Sequence, residues 1–442
     1  MSGIAGIYQF EAQPVDPGEL LTLGSALAER GPDGGNEILD GAIGMSYRAF
    51  RTNAESRHER QPLLSQAGQI LCWDGRLDNR DDLLPLLEEA IRGDRTDASF
   101  VLAAYQKWGA EFLSRLIGDF ALSLWDARLQ VLILARDPFG ARPLYYFRGQ
   151  NKLIWSSTLT SLLALSAIDL EVNDEYVAGC LALYPELSST PYRNVTAVEP
   201  GQVVTVKEKR FQTRRFWRPA ESDAIRCAKD DEYEEQFRQL FRQAVACRLR
   251  SDRPIWSELS GGLDSSSIVF MADRIQSEQR NLKPIKTLSF VDQPSVTFFD
   301  HRFIEAVEAA RAKRGLHLDG GGHWIRLAAP EDGFIVNPLT SVCVADLHQQ
   351  VWRKMKDAGA RVLLSGLGGD QVTWSNLEPG PELCDLFVRR RPLQLHRRLQ
   401  VWSQATHVPY AQLLWQEVVL PFLPISLRAR FQNQIQLSSW LN

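Results

Sequence analysis

Apolar positions fall in short runs through the first half of this chain. In the second half short runs alternate with longer amphipathic stretches. Residues 3–10 are short and apolar and predict a buried strand at the start of the chain. Leu20, Leu21, Leu23 and Leu27 have helical spacing, which predicts a helix over 17–29. The run Arg30-Gly31-Pro32-Asp33-Gly34-Gly35 ends it with strong turn chemistry. Helical periods return over 81–91 and 100–108. Residues 120–126 and 130–136 read as two strands about a turn at 127–129, and 144–147 and 153–156 extend the strand-rich region. From about 207 to 231 the pattern dissolves into Glu208, Lys209, Arg210, Arg214, Arg215, Arg218, Pro219 and Glu221, where a domain linker is expected. Tyr233, Phe237, Leu240, Phe241, Ala244 and Val245 then share one face of an amphipathic helix. Beyond it, strands over 255–259, 285–290 and 361–364 alternate with helices over 265–275, 303–312 and 347–357. That alternation predicts an α/β fold with a helix-wound parallel sheet.

A length of 442 residues fits two domains or three. The chain is 44% hydrophobic and 24% charged, which is globular, and its net charge of −4 excludes binding of nucleic acid or anionic membranes by bulk electrostatics. Cys72, Cys180, Cys227, Cys247, Cys343 and Cys384 are scattered without a CxxC pair, the pattern of a reduced cytoplasmic protein rather than of a disulfide framework or zinc site. The N-terminus lacks the features of a signal peptide, and no membrane span is expected. The histidines have no metal-ligand spacing, and His301, His317 and His323 read as loop or surface residues. Trp352, Trp374, Trp402, Trp415 and Trp440 read mostly as core.

The chemistry concentrates in Leu259-Ser260-Gly261-Gly262-Leu263-Asp264-Ser265-Ser266, between a predicted strand and a predicted helix. Adjacent glycines let backbone approach a phosphate, serines add donors, and the helix N-terminus supplies free N–H groups. An acid here repels bare phosphate but suits a bridging divalent cation, so the loop reads as a pyrophosphate cradle with Mg²⁺ and not as a lysine-dependent P-loop. Its plainer alternative is a Gly-Gly turn before a capped helix. Val362-Leu363-Leu364-Ser365-Gly366-Leu367-Gly368-Gly369-Asp370 repeats the motif of strand, glycine turn and acid, and Asp264 with Asp370 makes a candidate Mg²⁺ pair.

With these residues the chain resembles the glutamine-hydrolysing asparagine synthetases and their relatives, the β-lactam synthetases and lasso-peptide macrocyclases. Gly3-Ile4-Ala5-Gly6-Ile7, Arg30-Gly31-Pro32-Asp33, Gly118-Asp119-Phe120-Ala121, Arg136-Asp137-Pro138-Phe139-Gly140 and Arg142-Pro143-Leu144-Tyr145-Tyr146 carry the likeness, with the two glycine loops, in the family's order. The resemblance implies an N-terminal αββα sandwich of the N-terminal-nucleophile amidotransferase type over 1–210. It also implies a parallel-sheet ATP-pyrophosphatase domain over 225–442, short at its C-terminal end relative to the family. It further implies ATP and Mg²⁺ as cofactors, a substrate carboxylate converted to an acyl-adenylate, and attack by a nitrogen nucleophile. By the same resemblance Leu259, Ser260, Gly261, Gly262, Leu263, Asp264, Ser265 and Ser266 hold the phosphates, Ser289, Phe290 and Gly366 line the adenosine site, and Asp264 and Asp370 bind the metal.

Several positions depart from the family. Ser2 stands where the family has its nucleophilic cysteine, and an alkoxide forms far less readily than a thiolate. Asp74-Gly75-Arg76 replaces the usual Asn-Gly-Glu, reversing a charge in the glutamine pocket. Arg48 and Asp97 match the remaining glutamine contacts, although Arg48, Asp74 and Asp97 also read as ordinary surface polar residues. Arg48, Asp74, Gly75 and Asp97 thus form a vestigial glutamine pocket with an inactive Ser2. Leu367 replaces an acid–base residue of asparagine and β-lactam synthetases, and Gln371 stands where an acid is common. The stretch 73–83 is closest to the macrocyclase-like branch. The expected activity is therefore macrolactam closure of a lasso-type precursor peptide, with a peptide or small carboxylate as substrate and the leader-processing proteins as partners. An asparagine synthetase with an altered N-terminus, and a truncated nucleotide-binding pseudoenzyme, stay open as alternatives.

Overall fold

The computed structural model describes residues 1–91, 93–165, 168, 171–182, 184–219, 225–279, 283–291, 301–319, 345–372 and 379–424. Cys343, His323, Trp374 and Trp440 lie outside them. Two compact units divide the chain, Met1–Ser365 and Gly366–Asn442.

Strands β1 (Gly3–Gln9), β2 (Gly35–Asp40), β3 (Ile43–Arg48), β4 (Leu63–Leu64), β5 (Gln69–Leu77), β6 (Gly118–Asp126), β7 (Val131–Arg136), β8 (Tyr145–Arg148), β9 (Lys152–Ser156), β10 (Val195–Ala197), β11 (Gln202–Lys207) and β12 (Arg210–Arg215) form two six-stranded sheets. Their orders are β10-β8-β9-β1-β3-β2 and β12-β11-β7-β6-β5-β4, and the pairings are antiparallel. Side-chain alternation along each strand sorts the core into three layers. Ile4 and Tyr8 of β1 meet Ile70, Cys72, Ala121, Trp125, Leu132 and Leu134 between the sheets. Ala5 and Ile7 turn outward onto the helices Pro17–Ser25 and Leu159–Leu163 through Leu20, Leu23, Leu159 and Leu162. On the opposite side Trp73, Phe120, Leu122 and Ile133 pack against the helices Arg80–Leu87 and Asp97–Trp108. The result is helix, sheet, sheet, helix, the αββα sandwich expected of this segment.

Gly6 fixes how closely the core closes. A Cβ placed there would sit 2.1 Å from Trp155 Cζ2 and 2.6 Å from Gly44 O. We expect Gly6→Ala to lower unfolding free energy by about 1–3 kcal/mol, as other overpacked cores do. A urea midpoint unchanged from wild type would refute this.

The remaining strands, β13 (Ile255–Glu258), β14 (Lys286–Val291), β15 (Leu316–Asp319) and β16 (Val362–Leu364), form a parallel sheet ordered β15-β14-β13-β16. Val245, Val269, Ala272, Ile275, Ile304 and Val307, from the helices Asp230–Arg248, Leu263–Glu278 and His301–Arg311, cover one face. Val351 and Met355 of the helix Ala345–Asp357 cover Trp256, Leu288 and Leu318 on the other. Helices on both faces make this a doubly wound sheet. The chain steps outward from β13 to β15 and returns to lay β16 on the far side of β13, so strand order reverses between β13 and β16.

In the second unit Leu383, Leu399, Trp402, Leu413 and Val418 form a small helical core. Trp402 is buried, but Trp352 of the first unit is 66% exposed and Trp415 is also exposed, so core packing does not account for these two. Beyond Lys207, where a linker was expected, the chain first adds β12. This strand lies at a sheet edge with mostly exposed side chains, and it lacks the apolar alternation that would mark it in sequence. Among the described residues no helix is long and apolar enough to cross a membrane.

Candidate active site

Open α/β sheets bind ligands beyond the carboxyl ends of their strands, where strand order reverses. Here β13 runs directly into the Ser260 loop and β16 into Ser365. Leu259 N donates to Leu288 O (2.8 Å), tying the start of the loop to β14. Ser265 Oγ lies 3.0 Å from Ser260 Oγ and accepts from Ser260 N at 3.2 Å, while Ser260 Oγ accepts from Gly262 N at 3.3 Å. Gly261 has φ +83°, and a Cβ there would meet Phe303 Cβ at 2.9 Å, so the turn needs glycine. Gly262 is the N-cap of the helix Leu263–Glu278 and contributes no side-chain cap. The first-turn N–H groups and the positive end of the helix dipole are therefore aimed at whatever the loop holds. Asp264, half-buried, lies in that first turn.

Ser365 Oγ donates to Glu258 Oε2, joining the ends of β13 and β16. Ser289, on β14, is 1% exposed, and its Oγ has no hydrogen-bond partner among the described residues. Ser266 Oγ is likewise buried without one. Buried hydroxyls left unpaired are costly and mark positions suited to a polar ligand. Phe290 follows Ser289 and is half-buried. The structure thus brings Leu259 to Ser266, Ser289 and Phe290 together at one end of the sheet. Gly366, Leu367 and Asp370 belong to the second unit, where Leu367 is 95% exposed and Asp370 opens the short helix Gly369–Val372.

The N-terminal pocket is built around Ser2. Its Oγ lies 3.1 Å from Tyr47 OH and accepts from Phe50 N at 3.0 Å. Arg30 donates to Ser2 O (2.7 Å) and pairs with Asp74 at 3.0 Å. Burial lowers the Met1 amine to about 5; Asp74 opposes the shift, and Arg30, Arg142 and Arg361 add to it. Arg48 donates to Gly24 O (3.0 Å) and pairs with Glu37 at 2.7 Å. Asp97 pairs with Arg80 and with Arg250 (2.8 Å) and accepts from Leu77 N at 2.9 Å. A Cβ on Gly75 would meet Asp119 O at 2.6 Å. The reading of Arg48, Asp74 and Asp97 as surface residues is therefore overturned. Asp74 is 1% exposed, Asp97 7% and Arg48 half-buried, and every one is committed to an ion pair within the chain.

Sequence reasoning missed Glu59, Tyr47 and the arginines that consume these charges. Glu59 accepts from Ala98 N (3.3 Å), and burial, then the nearby Asp97 charge, pushes its carboxyl up to about 7. Nothing in the local sequence marks it. Arg30 could have been found, since it opens the Arg30-Gly31-Pro32-Asp33 motif.

Comparison with known proteins agrees with this two-part layout. Residues 1–217 match the family model for a glutamine amidotransferase domain, and residues 236–420 match the model for asparagine synthase. The chain thus carries a glutamine amidotransferase domain followed by an asparagine synthase domain. Curated relatives include glutamine-hydrolyzing asparagine synthetase 1 of Bacillus subtilis (strain 168), 30% identical over 280 residues, covering 62% of this chain and 44% of that protein. Synthetase 3 of the same organism is 28% identical over 311 residues, covering 68% and 49%. Amidase chry2 of Gibberella zeae is 32% identical over 268 residues, covering 58% and 39%. The chain spans about half, or less, of the length of these relatives.

Proposed function

We propose that the chain forms amide bonds with ATP through an acyl-adenylate, and that its sandwich no longer hydrolyses glutamine. The observation that carries this is the Ser260 loop at the switch point of the parallel sheet, with its uncapped helix N-terminus and the unpartnered hydroxyls of Ser266 and Ser289 beside it. A substrate carboxylate oxygen attacks the α-phosphorus of ATP. The bond to the β-phosphate oxygen breaks and pyrophosphate leaves. An amine then attacks the acyl carbon, loses a proton and displaces AMP. Ser260 to Ser266 hold the departing pyrophosphate, whose charge is met by loop N–H groups and the helix dipole. Ser289, Phe290 and Gly366 line the adenosine side. Asp264 and Asp370 would be the carboxylates that hold Mg²⁺, which would supply charge neutralisation at the phosphates.

For the amine donor we propose the substrate itself, in macrolactam closure of a lasso-type precursor peptide. The loss of the cysteine at position 2 and the internal pairing of Asp74, Arg48 and Asp97 support a donor other than glutamine. The names of the Bacillus relatives favour a second reading, amidation of aspartate. Pyrophosphate–ATP exchange with aspartate and with candidate precursor peptides, each in turn, separates the two. Exchange with neither, in protein that binds ATP, would remove both.

Glutamine incubated with the purified chain should yield no glutamate, and Ser2→Cys should yield none either, because Arg30 still occupies Asp74. Glutamate release by wild type that disappears in Ser2→Ala would show a working serine hydrolase instead.

A further inference from the structure

The carboxylates of the vestigial pocket and of the Arg30-Gly31-Pro32-Asp33 turn hold the parallel sheet by its lower edge. Arg250 lies just ahead of β13. It pairs with Asp97 through both terminal guanidinium nitrogens, Nη1 and Nη2 (3.0 and 2.8 Å), and donates to Leu77 O at 3.1 Å. Thr52 O accepts from Ser251 Oγ (2.8 Å) and from Asp252 N (3.3 Å) in the same segment. Arg361 immediately precedes β16. It grips Asp33 in a two-pronged pair, with Nη2–Oδ1 at 2.8 Å, donates to Arg51 O at 2.9 Å, and lies 4.8 Å over the Phe50 ring. Planar two-pronged pairing fixes orientation as well as distance.

β13 and β16 are neighbours, with Ile255 opposite Val362 and Ser257 opposite Leu364. Their far ends carry the Ser260 loop and Ser365, joined through Glu258. β16 has only three residues and lies at the edge of the sheet, paired with β13 alone, so few backbone bonds fix its position. The two arginines thus set the starting points of the two strands that flank the switch point.

We propose that Asp33 and Asp97 are positioning residues for the adenylation site: through Arg361 and Arg250 they lock β16 beside β13 and so hold Ser365 and the Ser260 loop in one geometry. This rests on reading that loop as the ATP site. The sandwich, relieved of glutamine chemistry, then serves as the base on which the nucleotide site is aligned.

The test uses the full chain carrying Asp33→Asn, Asp33→Glu, Arg361→Gln and the double change Asp33→Asn with Arg361→Gln. Amide hydrogen exchange reports residues 255–259 and 362–365, with β5, β6 and β7 as internal reference, and calorimetric titration with ATP and Mg²⁺ reports affinity without turnover. Asp33→Asn should speed exchange at 362–365 and weaken ATP binding by about tenfold each, with β5 to β7 unchanged. Asp33→Glu should restore most of both, and the double change should be no worse than either single one. Unchanged protection and affinity in folded Asp33→Asn would overturn the proposal, as would a uniform rise in exchange that includes β5 to β7. If Asp33→Asn does not fold, a KCl titration of wild type decides: protection at 362–365 should fall before that of the sandwich. Absence of ATP binding by wild type would instead overturn the ATP reading, a result distinct from wild-type binding that the variants leave intact.

Discussion

Asp264→Asn should lower pyrophosphate–ATP exchange by about 10²–10³-fold, the scale seen when one group that stabilises transition-state charge is removed. The side chain sits in the first turn of the helix that follows the Gly261-Gly262 turn, where a carboxylate close to phosphate is tenable only with a cation between them. The substitution keeps shape and removes charge. Its effect on helix stability includes the loss of a favourable dipole contact, roughly 0.3–1 kcal/mol. Exchange should therefore fall far more than that contact alone explains. Exchange within about threefold of wild type, well short of the loss such a group causes, would remove Asp264 from the metal site.

Asp97→Ala should cost about 1–3 kcal/mol of unfolding free energy, since it removes the nearest carboxylate from the half-buried Arg80 and Arg250, which keep only the more distant Glu55 at 3.7 Å. Burial alone would raise the Asp97 carboxyl. The hydrogen bond and charge of Arg250, then Arg80, outweigh burial and hold it below the usual carboxylate range. A depressed native value fixes the sign of the pH dependence. The stabilisation is complete above the unfolded value near pH 4 and disappears as pH falls through the lower native value. Denaturant curves of wild type and variant should be far apart at neutral pH and converge in acid. A gap that widened on acidification would contradict the pairing.

β6 and β7 were legible as apolar runs because Leu122 and Trp125, or Leu132 and Ile133, point to different cores that both exclude water. β3 and β5 are buried as fully and were not predicted, because Gly44 and Ser46 in one and Asp74, Gly75 and Arg76 in the other break the apolar run. β12 was invisible for another reason: it lies at an edge with exposed charged side chains. The turn at Gly261-Gly262 was legible because, at a strand-to-helix junction, it has a local cause, a positive φ and close backbone approach at Gly261. The fate of Asp97 was not, because its partner Arg250 lies 153 residues away and no local pattern joins them. The same holds for Asp33 and Arg361, 328 residues apart.

β1 occupies an interior place in its sheet, between β9 and β3. During synthesis it leaves the ribosome well before β9, so Ile7 must wait for Ile154 before its second edge is covered. At about 5–20 residues per second, that interval of roughly 150 residues lasts about 7–30 s. For that time the nascent chain carries an apolar ribbon with one unsatisfied edge, an open invitation to a trigger-type holdase or to another nascent chain on the same message.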